Sequence, residues 1–246
     1  MQFHAVSGLA SRKRSDCAIV GIYESGELGT AATELDRSIG GLLARLVKRG
    51  DLRGKPAEAV LLHPEKGPVQ RVLVVGLGKK DKFERKQYRK SVAAAASLLA
   101  KSGAREAVSY LSVEPVADTD SYYLGRLAAE AVTATLYRVP AIRSTRKEPP
   151  AALKSFSIAV ADRGQVKDAE HGLAHGRGIG AGMSLTRDLA NLPANVCTPS
   201  YLASFARKLA KETPNMKADI LSEAQMKRLG CKNAHELHSW FIKQMD

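Results

Sequence analysis

The chain has 246 residues, of which 44% are hydrophobic and 26% are charged. That length allows one large domain, or one ordinary domain plus part of another, and the composition excludes a disordered or fibrous protein. No apolar run approaches the roughly 18 residues of a membrane span, and basic residues at positions 12–14 fall where a signal peptide would be apolar. The three cysteines, Cys17, Cys197 and Cys231, are too far apart for a disulfide framework. We therefore expect a cytoplasmic protein with reduced thiols and no membrane contact.

Charge is the unusual property of the composition. The chain has 38 basic and 25 acidic residues, a net charge of +13, and residues 45–90 alone carry 14 basic against 5 acidic residues. Such a surface attracts polyanions, and contacts to phosphate would make the binding salt-dependent. The alternative is an ordinary solvated surface, because no interleaved aromatic residues and no nucleic-acid motif accompany the charge. The candidate residues for DNA or another polyanion are Arg45, Lys48, Arg49, Lys79, Lys80, Lys82, Arg85, Lys86, Arg89 and Lys90.

Strand and helix patterns alternate in the first hundred residues. The run CAIVGIY at 17–23 predicts a buried strand, and a continuous apolar stripe over 35–47 predicts a helix that ends at Gly50. Two further strands are predicted at 59–63 and 71–75, as neighbours in the sheet. A second helix is predicted from about residue 84 to 101.

The alternation continues with a strand at 107–113, a helix at 122–137 and a closing strand at 156–160. Residues 138–150 are rich in arginine and proline, which predicts a surface loop. Strands separated by helices of this length predict an α/β sandwich, with a mostly parallel or mixed sheet covered on both faces.

The last third is predicted to be mainly helical. Residues 166–189 suit a long helix, yet they include five glycines within eleven residues, which indicates either close backbone packing or a break. A helix is predicted at 201–211 and a possible strand at 217–221. Ser222 and Gln225 have the spacing of a capping box for a final short helix. The glycines are Gly172, Gly176, Gly178, Gly180 and Gly182.

Known catalytic motifs are weak or missing. Gly76-Leu77-Gly78 follows a strand as a dinucleotide fingerprint would, but the third glycine position holds Asp81, so a structural turn is favoured. His171 and His175 have the i, i+4 spacing of metal ligands without the glutamate that the zincin motif requires, which favours a solvated or interdomain pair. His235 and His238 have no further ligand nearby and are interpreted as fortuitous.

The most informative stretch is TRDLANLPANVCTPSYLA at residues 186–203. It resembles the R-D-L-x-N-x-P-x-N-x-x-x-P-x-x-L-A signature that opens the peptidase domain of the leucyl (cytosol) aminopeptidases, the M17 metallopeptidases. Lys55-Pro56, the strand and turn at 71–78 and the run AVTATLY at 131–137 agree with that family in order and spacing. The resemblance extends from residue 1 to about 230.

The resemblance implies a macro-domain-like three-layer sandwich, a linker helix and an α/β peptidase domain that binds two divalent metals, zinc, manganese or magnesium. In the family these metals polarise the scissile carbonyl and activate the attacking water, and the subunits form hexamers. The metal ligands lie in motifs resembling G-K-G-x-x-x-D-x-G-G and N-T-D-A-E-G-R, and neither motif occurs in this sequence. We therefore assign no catalytic, cofactor-binding or metal-binding residue to this chain.

The sequence departs from the family pattern near Gly230, where a polar, irregular segment replaces the expected apolar strand. The expected organisation is a macro-like domain at 1–165, a linker helix at 166–190 and an incomplete start of the peptidase domain at 191–246, divergent from 231. The leading hypothesis is the N-terminal portion of a leucyl aminopeptidase that does not itself hydrolyse peptides, monomeric or weakly self-associating. The alternative is a basic module that binds a polyanion through residues 45–90.

Overall fold

The computed structural model describes residues 1–139 and 152–230, and the chain divides into two compact units, Met1–Asp188 and Leu189–Asp246. The predicted loop at 138–150 and the divergent segment from 231 therefore lie almost wholly outside the described residues. The strands are β1 (Gln2–Ser7), β2 (Ser15–Tyr23), β3 (Ala59–Leu62), β4 (Val69–Gly78), β5 (Glu106–Ser109) and β6 (Ser155–Val160). The helices are α1 (Thr30–Ser38), α2 (Leu42–Arg49), α3 (Arg85–Leu99), α4 (Ser121–Leu136), α5 (Val166–Ala190), α6 (Pro199–Glu212) and α7 (Glu223–Arg228).

The first unit is built on a six-stranded sheet in the order β1-β6-β5-β2-β4-β3. Every neighbouring pair is parallel except β3 with β4, which is antiparallel, so the predicted mixed sheet is confirmed. Strands β2 and β4 are nearly continuous apolar runs because helices cover both faces of the sheet, as expected for parallel strands.

Alternate residues of the central strands face two separate apolar cores. Leu73, Val75 and Leu77 of β4 pack with α3, α4 and α5, whereas Val72 and Val74 pack with α1 and α2 on the opposite face. The period-2 side-chain alternation of a strand produces this division. The result is a three-layer α/β sandwich, the fold class predicted from the sequence.

The predicted helix at 35–47 is two helices in the structure. Gly40 and Gly41 adopt φ of +75° and +70°, a left-handed conformation that ends α1 and reorients the chain before α2. The buried Asp36 carboxylate then accepts the backbone N–H groups of Leu43, at 2.6 Å, and Ala44, at 3.3 Å. The apolar stripe continued across both helices, so periodicity alone did not locate the break.

Three strand predictions differ from the structure, because strand formation depends on pairing with segments distant in sequence. Strand β1 was not predicted because only Ala5 of its six residues is buried, and it forms by pairing with β6 at the edge of the sheet. Strand β5 ends at Ser109, and residues 111–113 form a 3-10 helix instead of continuing the strand. The strand predicted at 217–221 does not form.

Helices α4 and α5 touch backbone to backbone, which explains part of the glycine-rich pattern. A Cβ at Gly172 would overlap the carbonyl of Tyr122, and a Cβ at Gly176 would overlap the carbonyl of Arg126. Gly180, one further turn along the helix, lies against the side chain of Thr133. Gly178 and Gly182 face open space. The glycines spaced four apart are therefore required for packing, and the other two are not.

Helix α5 has the bounds expected of the linker helix, but most of it packs within the first unit through Ala169 and Leu173. The domain boundaries at 165 and 190 stay predictions. In the second unit, Thr198 precedes α6 as its N-cap, and its hydroxyl accepts the N–H of Tyr201. The predicted capping box of Ser222 and Gln225 forms at α7.

Substitution of Gly172 by alanine is expected to destabilise the first unit by about 1–3 kcal/mol, because the new methyl group would force α5 away from α4. Gly178→Ala is the matched control on the same helix and is expected to be neutral or to stabilise by up to about 1 kcal/mol. Urea unfolding followed by circular dichroism measures both changes. Equal destabilisation by the two variants would contradict the proposed packing role.

Candidate functional site

A crevice of about 390 Å³ opens at the carboxyl ends of β2 and β5. Strand β2 leads into α1 on one face of the sheet, and β5 leads into α4 on the other face. In α/β sheets, ligands bind where neighbouring connections diverge in this way. The crevice is bounded by the β2–α1 loop at 24–29 and by Glu114 and Pro115 of the β5–α4 connection.

Glu114 is the central side chain of this crevice and is only 4% exposed. Its carboxylate accepts the backbone N–H of Thr30 at 2.7 Å and the hydroxyl of Tyr23 at 2.9 Å. Thr30 is the first residue of α1, so the carboxylate lies at the positive end of that helix dipole. Gly29 permits this approach, since a Cβ there would lie 2.6 Å from the Glu114 Oε1 atom.

Two of the charged side chains that line the crevice pair with each other. The Lys80 ammonium lies 2.5 Å from the Glu27 carboxylate and 5.5 Å from the centre of the Tyr23 ring. Burial, followed by the nearby Glu114 carboxylate, raises the pKa of the Tyr23 hydroxyl. Burial also raises the pKa of Glu114, an effect that its hydrogen bonds from Tyr23 and Thr30 oppose. A helix N-terminus at a switch point ordinarily suits a phosphate, but here the protein's own carboxylate occupies that position.

Gly76 and Gly78 were considered above as part of a nucleotide motif. In the structure both have a packing role in the first unit. A Cβ at Gly76 would overlap the carbonyl of Lys55, and Gly78 has φ of +79° and lies against Pro56. Both glycines therefore allow the segment at 54–57 to pack beside the end of β4.

The ten basic residues proposed for polyanion binding are all exposed, but they lie on different layers. Arg45, Lys48 and Arg49 are on α2, which packs on one face of the sheet, and the residues at 85–90 are on α3, which packs on the other. Residues 79–82 follow the carboxyl end of β4, which lies between β2 and β3 in the sheet. The two helices therefore do not contribute to one shared basic face, and polyanion binding stays a prediction.

Besides Lys80, which pairs with Glu27, two of these basic residues have local partners within the first unit. Arg45 donates to the Gly40 carbonyl at 2.5 Å. Arg85 donates to the Asp118 carbonyl and lies 4.5 Å from the centre of the Tyr123 ring. These contacts hold the two guanidinium groups against the protein surface.

Histidine and cysteine do not assemble into a metal centre in the part of the chain that is described: no group of three or more His, Cys, Asp or Glu residues is placed to hold a metal there. His175 instead shares a hydrogen bond of 2.9 Å with the Tyr122 hydroxyl. Burial raises the pKa of the Cys17 thiol to about 12, which makes it a poor nucleophile. His235 and His238 lie outside the described residues.

The first residues of the signature segment contact α4. The Tyr137 hydroxyl donates to the Asp188 carboxylate at 2.9 Å. The Arg187 guanidinium donates to the Ala134 carbonyl at 3.3 Å and lies 5.3 Å from the centre of the Tyr137 ring. These contacts fix the last turn of α5 against the carboxyl end of α4. Arg187 and Asp188 therefore have structural partners within the first unit.

The described part of the second unit, residues 189–230, contains no buried side chain. Its exposed apolar residues include Val196, Leu202, Met216 and Leu229. A folded segment ordinarily buries the apolar face of its helices against another element. The second unit therefore lacks a core of its own within the described residues.

A mixed six-stranded sheet with helices on both faces, followed by a helical segment without a core, defines a two-part α/β protein. Residues 19–146 match the N-terminal domain of the cytosol aminopeptidase family, and residues 184–238 match the catalytic domain of that family. The chain belongs to the cytosol aminopeptidase (M17) family and corresponds to its N-terminal portion.

Similar proteins agree with this assignment. The probable cytosol aminopeptidases of Shewanella piezotolerans and Shewanella denitrificans are 36% and 37% identical over 231 residues, which cover 94% of this chain and 46% of each relative. The chain thus spans about half the length of the curated relatives that it matches.

Two solved structures share the fold. A mutant of tomato leucine aminopeptidase superposes with a TM-score of 0.79 at 23% identity, over 94% of this chain and 46% of its own. The bottromycin maturation enzyme BotP superposes with a TM-score of 0.65 at 23% identity, over 88% of this chain and 41% of its own. No helix within residues 1–139 and 152–230 has both the length and the apolar character needed to cross a membrane.

Glu114 is expected to make the stability of the first unit depend on pH. Because its pKa is raised on folding, the folded state binds the extra proton, so its stabilising contribution is full below the ordinary glutamate pKa of about 4.3 and is lost as the pH rises through the raised pKa. Glu114→Gln should remove this dependence, a slope of at most about 1.4 kcal/mol per pH unit.

Urea titrations at a series of pH values, compared between the wild type and Glu114→Gln, measure the effect. Glu24→Gln, which removes an exposed carboxylate near the same loop, is the control and should keep the wild-type slope. Parallel profiles for the wild type and Glu114→Gln would contradict the expectation.

Proposed function

We propose that this chain supplies the N-terminal domain and the opening of the catalytic domain of a cytosol aminopeptidase, a hydrolase that removes residues from the amino termini of peptides. The observation that carries the proposal is the 36–37% identity to probable cytosol aminopeptidases over 94% of the chain. Both family matches lie in the order that such an enzyme requires, with the N-terminal domain before the catalytic domain.

The proposal assigns different tasks to the two units. The first unit has two apolar cores and supports itself, and the glycine contact between α4 and α5 fixes the helix that leads into the second unit. The contacts of Arg187 and Asp188 with α4 hold the end of that helix. In this proposal the first unit takes no part in bond cleavage.

The chain by itself is proposed not to hydrolyse peptides. A related fold, BotP, was solved in complex with manganese, and we extend to this family member the expectation that hydrolysis needs divalent metals. The residues described here do not fit such a centre, because no group of three or more potential ligands comes together among them. The sequence also lacks both family motifs that would provide the ligands.

Two further properties belong to the same proposal. A cytoplasmic location is supported by the names of the relatives, which are called cytosol aminopeptidases. The oligomeric state proposed for this chain is a monomer or a weak self-associate, because the peptidase domain is expected to supply much of the contact in a family hexamer and the chain matches that domain only over residues 184–238.

The proposal predicts that the purified 246-residue chain releases no leucine from a leucyl amide substrate with added Mn²⁺. A chimera that joins residues 1–230 to the downstream part of the Shewanella denitrificans relative is expected to hydrolyse the same substrate in a metal-dependent manner. Release of the leaving group, with and without a chelator, measures both activities. Hydrolysis by the chain alone, or a folded chimera without activity, would argue against the proposal.

A further inference from the structure

A second pocket, of about 460 Å³, lies at the amino ends of the strands. It crosses the four neighbouring strands β6, β5, β2 and β4, whereas the crevice of Glu114 lies at the carboxyl ends of β2 and β5. Its volume is within the range of about 300–1,000 Å³ that is usual for small-molecule sites. The charged and amide side chains that line it are Asp16, Gln70, Arg71, Arg105, Glu106 and Lys154.

Arg105 and Lys154 are neighbours in this pocket. They directly precede Glu106 and Ser155, which are paired residues at the start of the parallel strands β5 and β6. The Arg105 N–H donates to the Asp16 Oδ2 atom at 2.6 Å, and the Arg105 carbonyl accepts the Lys154 N–H at 2.7 Å. Both residues are exposed, and in the described part of the chain neither cationic group has a hydrogen-bond or ion-pair partner. The backbone thus fixes both residues and leaves their charged groups available to a ligand.

Arg71 is the third cation of the pocket, and its side chain is 22% exposed. Its Nη1 atom donates to the Asp16 Oδ1 atom, while Asp16 Oδ2 accepts the Arg105 N–H. Both oxygens of this carboxylate are therefore occupied by the protein. Asp16 holds Arg71 in position, and the Nη2 atom of Arg71 has no acceptor within residues 1–139 and 152–230.

The chemistry of this lining suits a phosphate group. Arginine binds phosphate through two parallel hydrogen bonds, and lysine adds a compact positive charge. Three cations face two carboxylates here, and one of the carboxylates, Asp16, is already paired. The oxygens of Gln70 and Glu106 can accept hydrogen bonds from hydroxyl groups of an attached molecule. No aromatic side chain of the described residues lines the pocket, so it offers no stacking surface for a nucleobase.

We infer that this pocket binds a small phosphate monoester that carries hydroxyl groups, of the size of a pentose phosphate. Arg71, Arg105 and Lys154 hold the phosphate, and Gln70 and Glu106 accept from the hydroxyl groups. None of the ten basic residues considered for polyanion binding lines this pocket. All of its lining residues belong to the first unit, so the inference does not depend on the proposed aminopeptidase function.

The test is isothermal titration calorimetry of the 246-residue chain with ribose 5-phosphate, in a low-salt buffer free of phosphate. The wild type is expected to bind one equivalent, more tightly than it binds inorganic phosphate or ribose. Lys154→Met and Arg105→Gln are each expected to raise the dissociation constant about tenfold or more, because each removes a charged hydrogen-bond donor. Both variants keep the main-chain hydrogen bonds of positions 105 and 154.

Lys101→Met is the matched control, because Lys101 is exposed and close in sequence to Gly103 of the pocket but does not line it. This variant is expected to keep the wild-type affinity. Four results would overturn the inference: no binding of ribose 5-phosphate, equal affinity for ribose, equal affinity for inorganic phosphate, or the same loss of affinity in Lys101→Met as in Lys154→Met. The last result would show a general attraction of anions to the net charge of +13. Thermal unfolding checks that each variant remains folded.

Discussion

The direct contact between the backbones of α4 and α5 is the constraint on which several other features of the first unit depend. It exists because Gly172 and Gly176 have no side chain where the helices meet, and Gly125 of α4 meets α5 in the same way. Each glycine costs about 1 kcal/mol of helix stability relative to alanine, so the packing must outweigh that cost. From this position α5 places the Glu170 carboxylate 2.5 Å from the Ala5 N–H and so caps part of the free edge of β1.

The same helix carries the chain towards the second unit. Two hydrogen bonds hold its last turn. The Asp188 carboxylate accepts the Tyr137 hydroxyl, and the Arg187 guanidinium donates to the Ala134 carbonyl. The beginning of the family signature thus has a structural explanation that involves no substrate.

The crevice at the carboxyl ends of β2 and β5 shows how a fold can keep a position suited to ligands and fill it with its own side chain. The α1 N-terminus attracts an anion, and Glu114 provides one from the β5–α4 connection. Tyr23 donates to the same carboxylate, and Lys80 pairs with Glu27 beside it. The hydrogen bonds of Glu114 therefore connect the β5–α4 segment to α1 and β2. Because this carboxylate already occupies the α1 N-terminus, that position is not open to a phosphate.

The sequence by itself determined most of the secondary structure, the α/β class and the family. Helix and strand periodicity and the family signature each depend only on residues that are close together in the sequence. The runs at 17–23 and 71–75 were buried strands, and Ser222 capped α7 as its spacing predicted. Tertiary structure alone decided the rest. Strand β1 needed β6 as its partner, Glu114 met Thr30 across 84 positions, and the basic residues of 45–90 were divided between two layers. Each of these depends on pairs of residues distant in sequence, whose proximity is fixed by the sheet order and by no pattern along the chain.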